Sequence, residues 1–116
     1  MTTGGSERAE IVAYRDFFDV PRAFLIEPRV GLLLFFDCPF DDSIDDYGLS
    51  YAVFSLPTLK ASELPANWGD LDAFKVGPLA TVPISALHFD ETRRREVLID
   101  GLDKIIGVAQ SATGFA

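Results

Sequence analysis

The chain has 116 residues, 48% of them hydrophobic and ten of them phenylalanine, and its formal net charge at pH 7 is -8. This length predicts a single domain over residues 1–116, and the composition is typical of a globular protein with an apolar core. The negative charge argues against binding to nucleic-acid phosphates or to anionic membranes and favours a basic partner instead.

Cys38 is the single cysteine, so neither an intramolecular disulfide nor a cysteine-based zinc site can form. This cysteine usage favours a reducing, cytoplasmic environment. The first residues lack the basic and apolar regions of a secretory leader, and no apolar run reaches the roughly 20 residues of a membrane-spanning helix. Small and polar residues predict frayed ends over 1–8 and 111–116.

The first third of the chain predicts three strands. Residues 9–18 carry the β-branched and aromatic side chains that strands favour. Pro21 predicts a corner before a second strand over 23–26, since proline cannot donate to a sheet. Pro28 and Gly31 predict the turn of a hairpin that leads into a third, strongly apolar strand over 32–36.

An acidic loop over 37–46 follows the third strand and precedes an aromatic return strand over 47–56. The loop contains five carboxylates, and residues 30–59 contain neither lysine nor arginine. The apolar flanks need shielding from both faces or by oligomerisation, whereas the carboxylates must meet water, a cation or a basic partner. Small residues alternate with large ones in the return strand, and we expect a helix to pack on the small-residue face.

The second half of the chain predicts fewer regular elements. Residues 57–78 read as a long loop that contains Trp68, and a loop of this length is usually functional, mobile, or contains a short element such as 59–64. Residues 79–84 predict a fifth, short strand. Asp90 predicts a helix start, because its carboxylate can accept hydrogen bonds from the first free N–H groups. The helix is expected to end near Ile106 or Gln110.

One apolar stripe at helical spacing supports this C-terminal helix. Its members are Leu98, Leu102, Ile105, Ile106 and Ala109. Together the elements predict an α+β fold, an antiparallel β-meander of about four to five strands packed on one face by the C-terminal helix. An all-β barrel is the alternative.

The acidic loop is the first candidate site. Divalent cations need several converging oxygen ligands, which Asp41, Asp42 and Asp45 offer as metal-ligand candidates. The spacing fails the pattern of a calcium-binding EF-hand loop, because Asp46 stands at the glycine position and Ala52 at the glutamate position. A solvated loop and a docking surface for a basic partner are the other interpretations.

Two further groups of side chains deserve separate hypotheses. Cys38 and His88 could form a thiol and base pair, although their apolar neighbours favour a structural role for both. Arg94 and Arg95 are anion-binding candidates, and their alternative role is to pair with Asp90, Glu91 or the acidic loop. On a helical wheel both arginines lean toward the apolar stripe.

No spacing in the chain matches a catalytic or cofactor motif strongly, and no cofactor is expected. The segment 48–52 resembles the G-x-S-x-G nucleophile elbow of hydrolases, but it has alanine at the position of the last glycine. The preferred hypothesis is a non-enzymatic, cytoplasmic interaction domain, like small acidic inhibitors or immunity-type proteins, that docks a basic protein. A divalent-cation-dependent hydrolase and a structural homodimer are the alternatives. The partner-binding candidates are Asp37, Asp41, Asp42, Asp45, Asp46 and Trp68.

Overall fold

A computed structural model describes residues 6–112. Its strands are β1 (Ser6–Phe18), β2 (Val20–Arg29), β3 (Leu32–Asp37), β4 (Phe40–Asp41), β5 (Asp46–Tyr47), β6 (Ser50–Ser55), β7 (Val76–Pro83), β8 (Leu87–Phe89) and β9 (Glu96–Asp100). The helix α1 (Leu102–Ala112) follows β9. Short 3₁₀ helices lie at Ala61–Glu63, Trp68–Ala73 and Ile84–Ala86.

Seven of these strands form one antiparallel sheet in the order β7-β6-β3-β2-β1-β9-β8, and β4 pairs with β5 in a separate hairpin. The two edge strands, β7 and β8, are consecutive in the chain and are joined by Ile84–Ala86 alone. Because so short a connection cannot cross a flat sheet of seven strands, the sheet curls until its edges approach each other.

The predicted fold class is wrong. Strands make up 50% of the structure and helices 21%, so the protein is mostly β: a curled seven-stranded sheet with one short C-terminal helix. The predicted α+β meander of four to five strands has too few strands. The observed curled sheet is closer to the alternative prediction, an all-β barrel. The early strands lie where the sequence predicts them, and each extends beyond its predicted range.

The helix predicted from Asp90 is the largest local error. The Asp90 carboxylate does accept hydrogen bonds from following N–H groups, those of Thr92, Arg95 and Glu96, but these close a turn between β8 and β9. Arg93 has a φ of 59° in that turn, a left-handed conformation that ends any helix. Residues 96–100 then pair with β1 as strand β9.

The apolar stripe is helical only from Leu102 onward. Leu98 belongs to β9, whereas Leu102, Ile105, Ile106 and Ala109 are buried on one side of α1. Gly101, with a φ of 77°, makes the turn between β9 and α1. A short apolar run such as 97–99 fits a strand and a helix equally well by periodicity, and its pairing with β1 decides the outcome.

Both faces of the central strands are covered. The face that contacts α1, here the helix face, includes Leu34 and Phe36 of β3. The opposite face, here the loop face, includes Leu33 and Phe35, which pack with Leu71 of the long connection. The continuous apolar sequence of β3 is thus explained by burial on both sides.

The helix lies on the side of the sheet that carries the large side chains of β6, so the predicted contact with the small-residue face is wrong. Tyr51 and Val53 belong to the helix-face cluster, whereas Ala52 and Phe54 lie on the loop face. The small side chains of β6 instead accommodate the 57–75 connection, which contains the short element expected near 59–64.

Residues 1–5 and 113–116 of the predicted frayed ends lie outside the described residues; residues 6–8 pair with β9, and 111–112 end α1. Within residues 6–112, no helix has the length and apolar character needed to cross a lipid bilayer.

Candidate functional site

The acidic loop of the sequence is a small β-hairpin, which we call the acidic hairpin (residues 40–49). Phe40 pairs with Tyr47 and Asp41 with Asp46 across β4 and β5. The Asp41 Oδ1 accepts hydrogen bonds from the Ser43 hydroxyl at 2.6 Å and the Ser43 N–H at 2.9 Å. These two bonds lower the pKa of Asp41 and shape the turn.

The carboxylates of the acidic hairpin have no ion-pair partner in the part of the chain that the structure describes. Asp41, Asp42, Asp45 and Asp46 are all exposed, and none of them forms an ion pair with any residue whose side chain the structure describes. Asp41 and Asp46 also face each other directly across the ladder. Because like charges in opposite positions destabilise a strand pair, this arrangement favours an external cation.

Large apolar side chains are exposed among these carboxylates. The exposed fractions are 49% for Phe40, 58% for Ile44 and 80% for Leu49. Phe18, at the turn between β1 and β2, is 62% exposed and lies with its ring centroid 5.7 Å from that of Tyr47. Apolar groups surrounded by charge are typical of a protein-binding surface.

The base of the acidic hairpin is fixed to the sheet. The N–H of Cys38 donates to the carbonyl of Arg22 at 2.7 Å, and the Cys38 Sγ donates to the carbonyl of Gly48 at 3.2 Å. The Arg22 guanidinium lies 4.8 Å from the centroid of the Tyr47 ring. These contacts hold both ends of the hairpin while its tip projects into solvent.

These contacts assign Cys38 a structural role. Its side chain is 1% exposed and is engaged by Gly48 and Arg22, whereas His88 lies on β8 with its Nε2 3.2 Å from Oδ2 of Asp100. The structure does not bring the two side chains together as a thiol and base pair.

Two shallow hollows flank the acidic hairpin and share Leu49. One, of about 520 Å³, is lined by Phe40, Asp41 and Asp42 and by no cationic side chain. The other, of about 530 Å³, is lined by the cationic Arg22 as well as by Asp46. The first hollow therefore has the stronger preference for a positively charged group.

Asp37 and Trp68 lie away from the acidic hairpin. Both line a cavity of about 230 Å³ on the loop face. Burial raises the pKa of the half-buried Asp37, Lys75 opposes the change, and Asp16 and Asp72 add to it. Trp68 is covered by Phe35, at 6.0 Å between ring centroids, and by the Arg15 guanidinium at 4.7 Å.

Arg94 and Arg95 lie in the turn between β8 and β9, so their predicted positions on a helical wheel are wrong. The Arg94 guanidinium packs on the Phe17 ring at 4.0 Å. Asp90 contacts Arg95 through the backbone N–H of that residue, at 3.1 Å.

No group of three or more histidine, cysteine, aspartate or glutamate side chains is arranged to hold a metal ion in the part of the chain that the structure describes. The structure does not gather Asp41, Asp42 and Asp45, the metal-ligand candidates, into such a set.

Sequence reasoning missed the apolar half of this surface. In the acidic loop it weighed only the carboxylates, although Phe40 and Ile44 stand among them in the sequence and Leu49 follows shortly after Asp46. The position of Phe40 and Ile44 between acidic residues was the available signal. Phe18 gave no comparable signal, because only the tertiary structure places it beside Tyr47.

No protein-family model, curated protein or solved structure matches this chain. Its function must therefore be argued from the curled sheet and the acidic hairpin themselves.

Proposed function

We propose that this chain is a non-enzymatic binding domain that docks a basic protein surface through its acidic hairpin. The observation that carries the proposal is the combination, on one projecting element, of four carboxylates that form no ion pair with the described residues and the exposed side chains of Phe40, Ile44 and Leu49. We assign no catalytic residue and place the domain in the cytoplasm, where a free thiol such as Cys38 persists.

The charge supports fast and selective association. A projecting cluster of one sign concentrates field lines, raises the rate of encounter with a basic surface and repels acidic proteins. Because Asp42 and Asp45 lie in the turn of the hairpin, a partner can approach them without meeting the rest of the sheet. The carboxylates would then set the rate of association and its sensitivity to salt.

The apolar side chains support the strength of the complex. Exposed charge pairs contribute only about 0.2–1 kcal/mol each, whereas burial of a large apolar side chain contributes about 1.5–3 kcal/mol. Leu49 and Ile44 are exposed enough to provide most of that gain on contact. We therefore expect a partner that combines lysine or arginine with apolar groups.

Binding of a fluorescent lysine homopeptide, followed by anisotropy, tests the proposal. The test variant neutralises the acidic hairpin with four Asp→Asn substitutions, at 41, 42, 45 and 46. We expect its affinity to fall about tenfold, since four exposed charge interactions are lost. The parent should bind more weakly at about 0.15 M salt than at low salt, because dissolved ions then screen charges that are more than about 8 Å apart.

A matched control removes four charges elsewhere. Glu10, Glu63, Asp70 and Glu91 are exposed, and their side chains form no hydrogen bond or ion pair with the described residues. Their amide substitutions change the net charge from -8 to -4, as the test variant does. Equal losses in both variants would show that only net charge matters and would overturn the proposal.

The two alternative hypotheses predict different results. A metal-dependent hydrolase should melt several degrees higher with calcium, magnesium or manganese than with a chelator, because saturation at about 100 times the Kd adds about 2.7 kcal/mol. A homodimer should show a mass that depends on concentration in sedimentation. Either result, with unchanged peptide binding in the test variant, would contradict docking through the acidic hairpin.

A further inference from the structure

The hollow beside Phe40 has the composition of a site for one long cationic side chain. Phe40 and Leu49 provide apolar surface, and Asp41 and Asp42 provide negative charge. The hollow has a volume of about 520 Å³ and is lined by no lysine or arginine. A side chain with an apolar stem and a charged end matches both kinds of surface at once.

The protein already uses aromatic rings to hold cations. Among the described residues, four cationic side chains lie over rings, and three of the four are arginines: Arg15 on Trp68, Arg22 on Tyr47, Lys75 on Phe54 and Arg94 on Phe17. The rings of Phe40 and Tyr47 are nearly perpendicular, with 5.4 Å between their centroids, and no described cation lies over Phe40. Its exposed ring is thus available to a cation from another molecule.

Arginine suits this hollow better than lysine. A guanidinium is planar and weakly hydrated, so it stacks on a ring and still donates two hydrogen bonds in its plane to a carboxylate. An ammonium is more strongly hydrated and cannot make the same flat contact. The hollow offers a ring at Phe40 and a carboxylate at Asp42, which has no hydrogen-bond or ion-pair partner among the described residues.

We propose that the basic partner inserts an arginine side chain into this hollow, with its guanidinium over Phe40 and in contact with Asp41 or Asp42. This inference rests on the proposed function and specifies the chemistry of its partner. The hollow around Arg22 is not the arginine site, because its own guanidinium would repel a second cation.

Arginine and lysine homopeptides of equal length provide the test, with labels and ionic strength matched. We expect the parent to bind the arginine peptide about two- to fivefold more tightly, as a stacking contact at an exposed site would give. Phe40→Leu keeps an apolar side chain but removes the ring. We expect this variant to bind the arginine and lysine peptides with equal affinity, because it lacks the ring on which a guanidinium stacks.

Val30→Ala is the control, because Val30 is 97% exposed in the turn between β2 and β3 and does not line the hollow. It should keep the preference for arginine. As a second measurement, the arginine side-chain protons of the bound peptide should shift upfield in NMR spectra of the parent and remain unshifted in Phe40→Leu.

The outcomes separate this inference from the docking proposal. If the test variant with four Asp→Asn substitutions loses affinity for both peptides but Phe40→Leu keeps the preference for arginine, the arginine site is refuted and the docking proposal stands. Equal affinity of the parent for both peptides would also refute the arginine site. Unchanged binding of both peptides in the test variant would refute both proposals.

Discussion

Leu71 is the residue through which the long connection between β6 and β7 should stabilise the sheet. Its side chain is fully buried at 0% exposure in the 3₁₀ helix Trp68–Ala73, and it belongs to the loop-face cluster with Leu33 and Phe35 of β3. Leu71→Ala would remove apolar contacts from this face and leave the helix face intact.

The expected loss combines the transfer of a leucine side chain to water with the cavity left behind. Buried Leu→Ala changes cost about 2–5 kcal/mol, and we expect about 2.5 kcal/mol here because a connection can collapse more readily than a sheet. For a domain of this length 1 kcal/mol shifts the midpoint by about 4 °C, so Tm should fall by about 10 °C. Circular dichroism melts measure this shift.

Val30→Ala is the control for this experiment and should melt within about 2 °C of the parent, since an exposed substitution changes stability by about 0.5 kcal/mol or less. The single tryptophan, Trp68, reports on the connection itself. A Leu71→Ala protein with the melting temperature and tryptophan emission of the parent would refute the packing of this connection on the sheet.

Two further predictions concern buried and acidic groups. Tyr51→Phe should lower the free energy of unfolding by about 1–3 kcal/mol. The buried Tyr51 hydroxyl donates to the Pro21 carbonyl at 2.6 Å, and its loss leaves that acceptor unpaired. Denaturant unfolding measures the change, and an unchanged midpoint would contradict the prediction. Asp90→Ala should lower Tm at neutral pH, because hydrogen bonds from the Glu96 N–H and the Thr92 hydroxyl hold the pKa of Asp90 well below its usual range. A carboxylate whose pKa is lowered by folding stabilises the protein at pH values above its pKa in the unfolded chain, about 3.9. The difference in Tm between parent and variant should therefore narrow as the pH falls below about 4. A difference that stays constant with pH would refute this role of Asp90.

Local sequence signals located several elements because those signals act over short distances. The β-branched and aromatic residues of β1 and the turn at Gly31, which has a φ of 83°, depend on neighbours in the chain. Leu102, Ile105 and Ile106 mark α1 for the same reason. The conformation of residues 96–100 depends instead on pairing with β1, almost ninety positions earlier in the chain, and no local pattern contains that information.

The candidate site divides in the same way. The exposure of Asp41, Asp42, Asp45 and Asp46 follows from the sequence, since four carboxylates in one turn cannot be buried without cations. The position of Asp37 does not follow, because alternation along β3 turns its side chain toward the loop face and away from the acidic hairpin.

The sequence by itself determined that this chain has an apolar core, an acidic surface element and a C-terminal helix, because composition and short-range periodicity set these properties. Only the tertiary structure decided that the sheet has seven strands and curls, that α1 covers one face and the 57–75 connection the other, and that Phe18 joins the acidic hairpin. The physical reason is that strand pairing and burial on two faces join residues that are distant in sequence, and contacts of that kind leave no local signal.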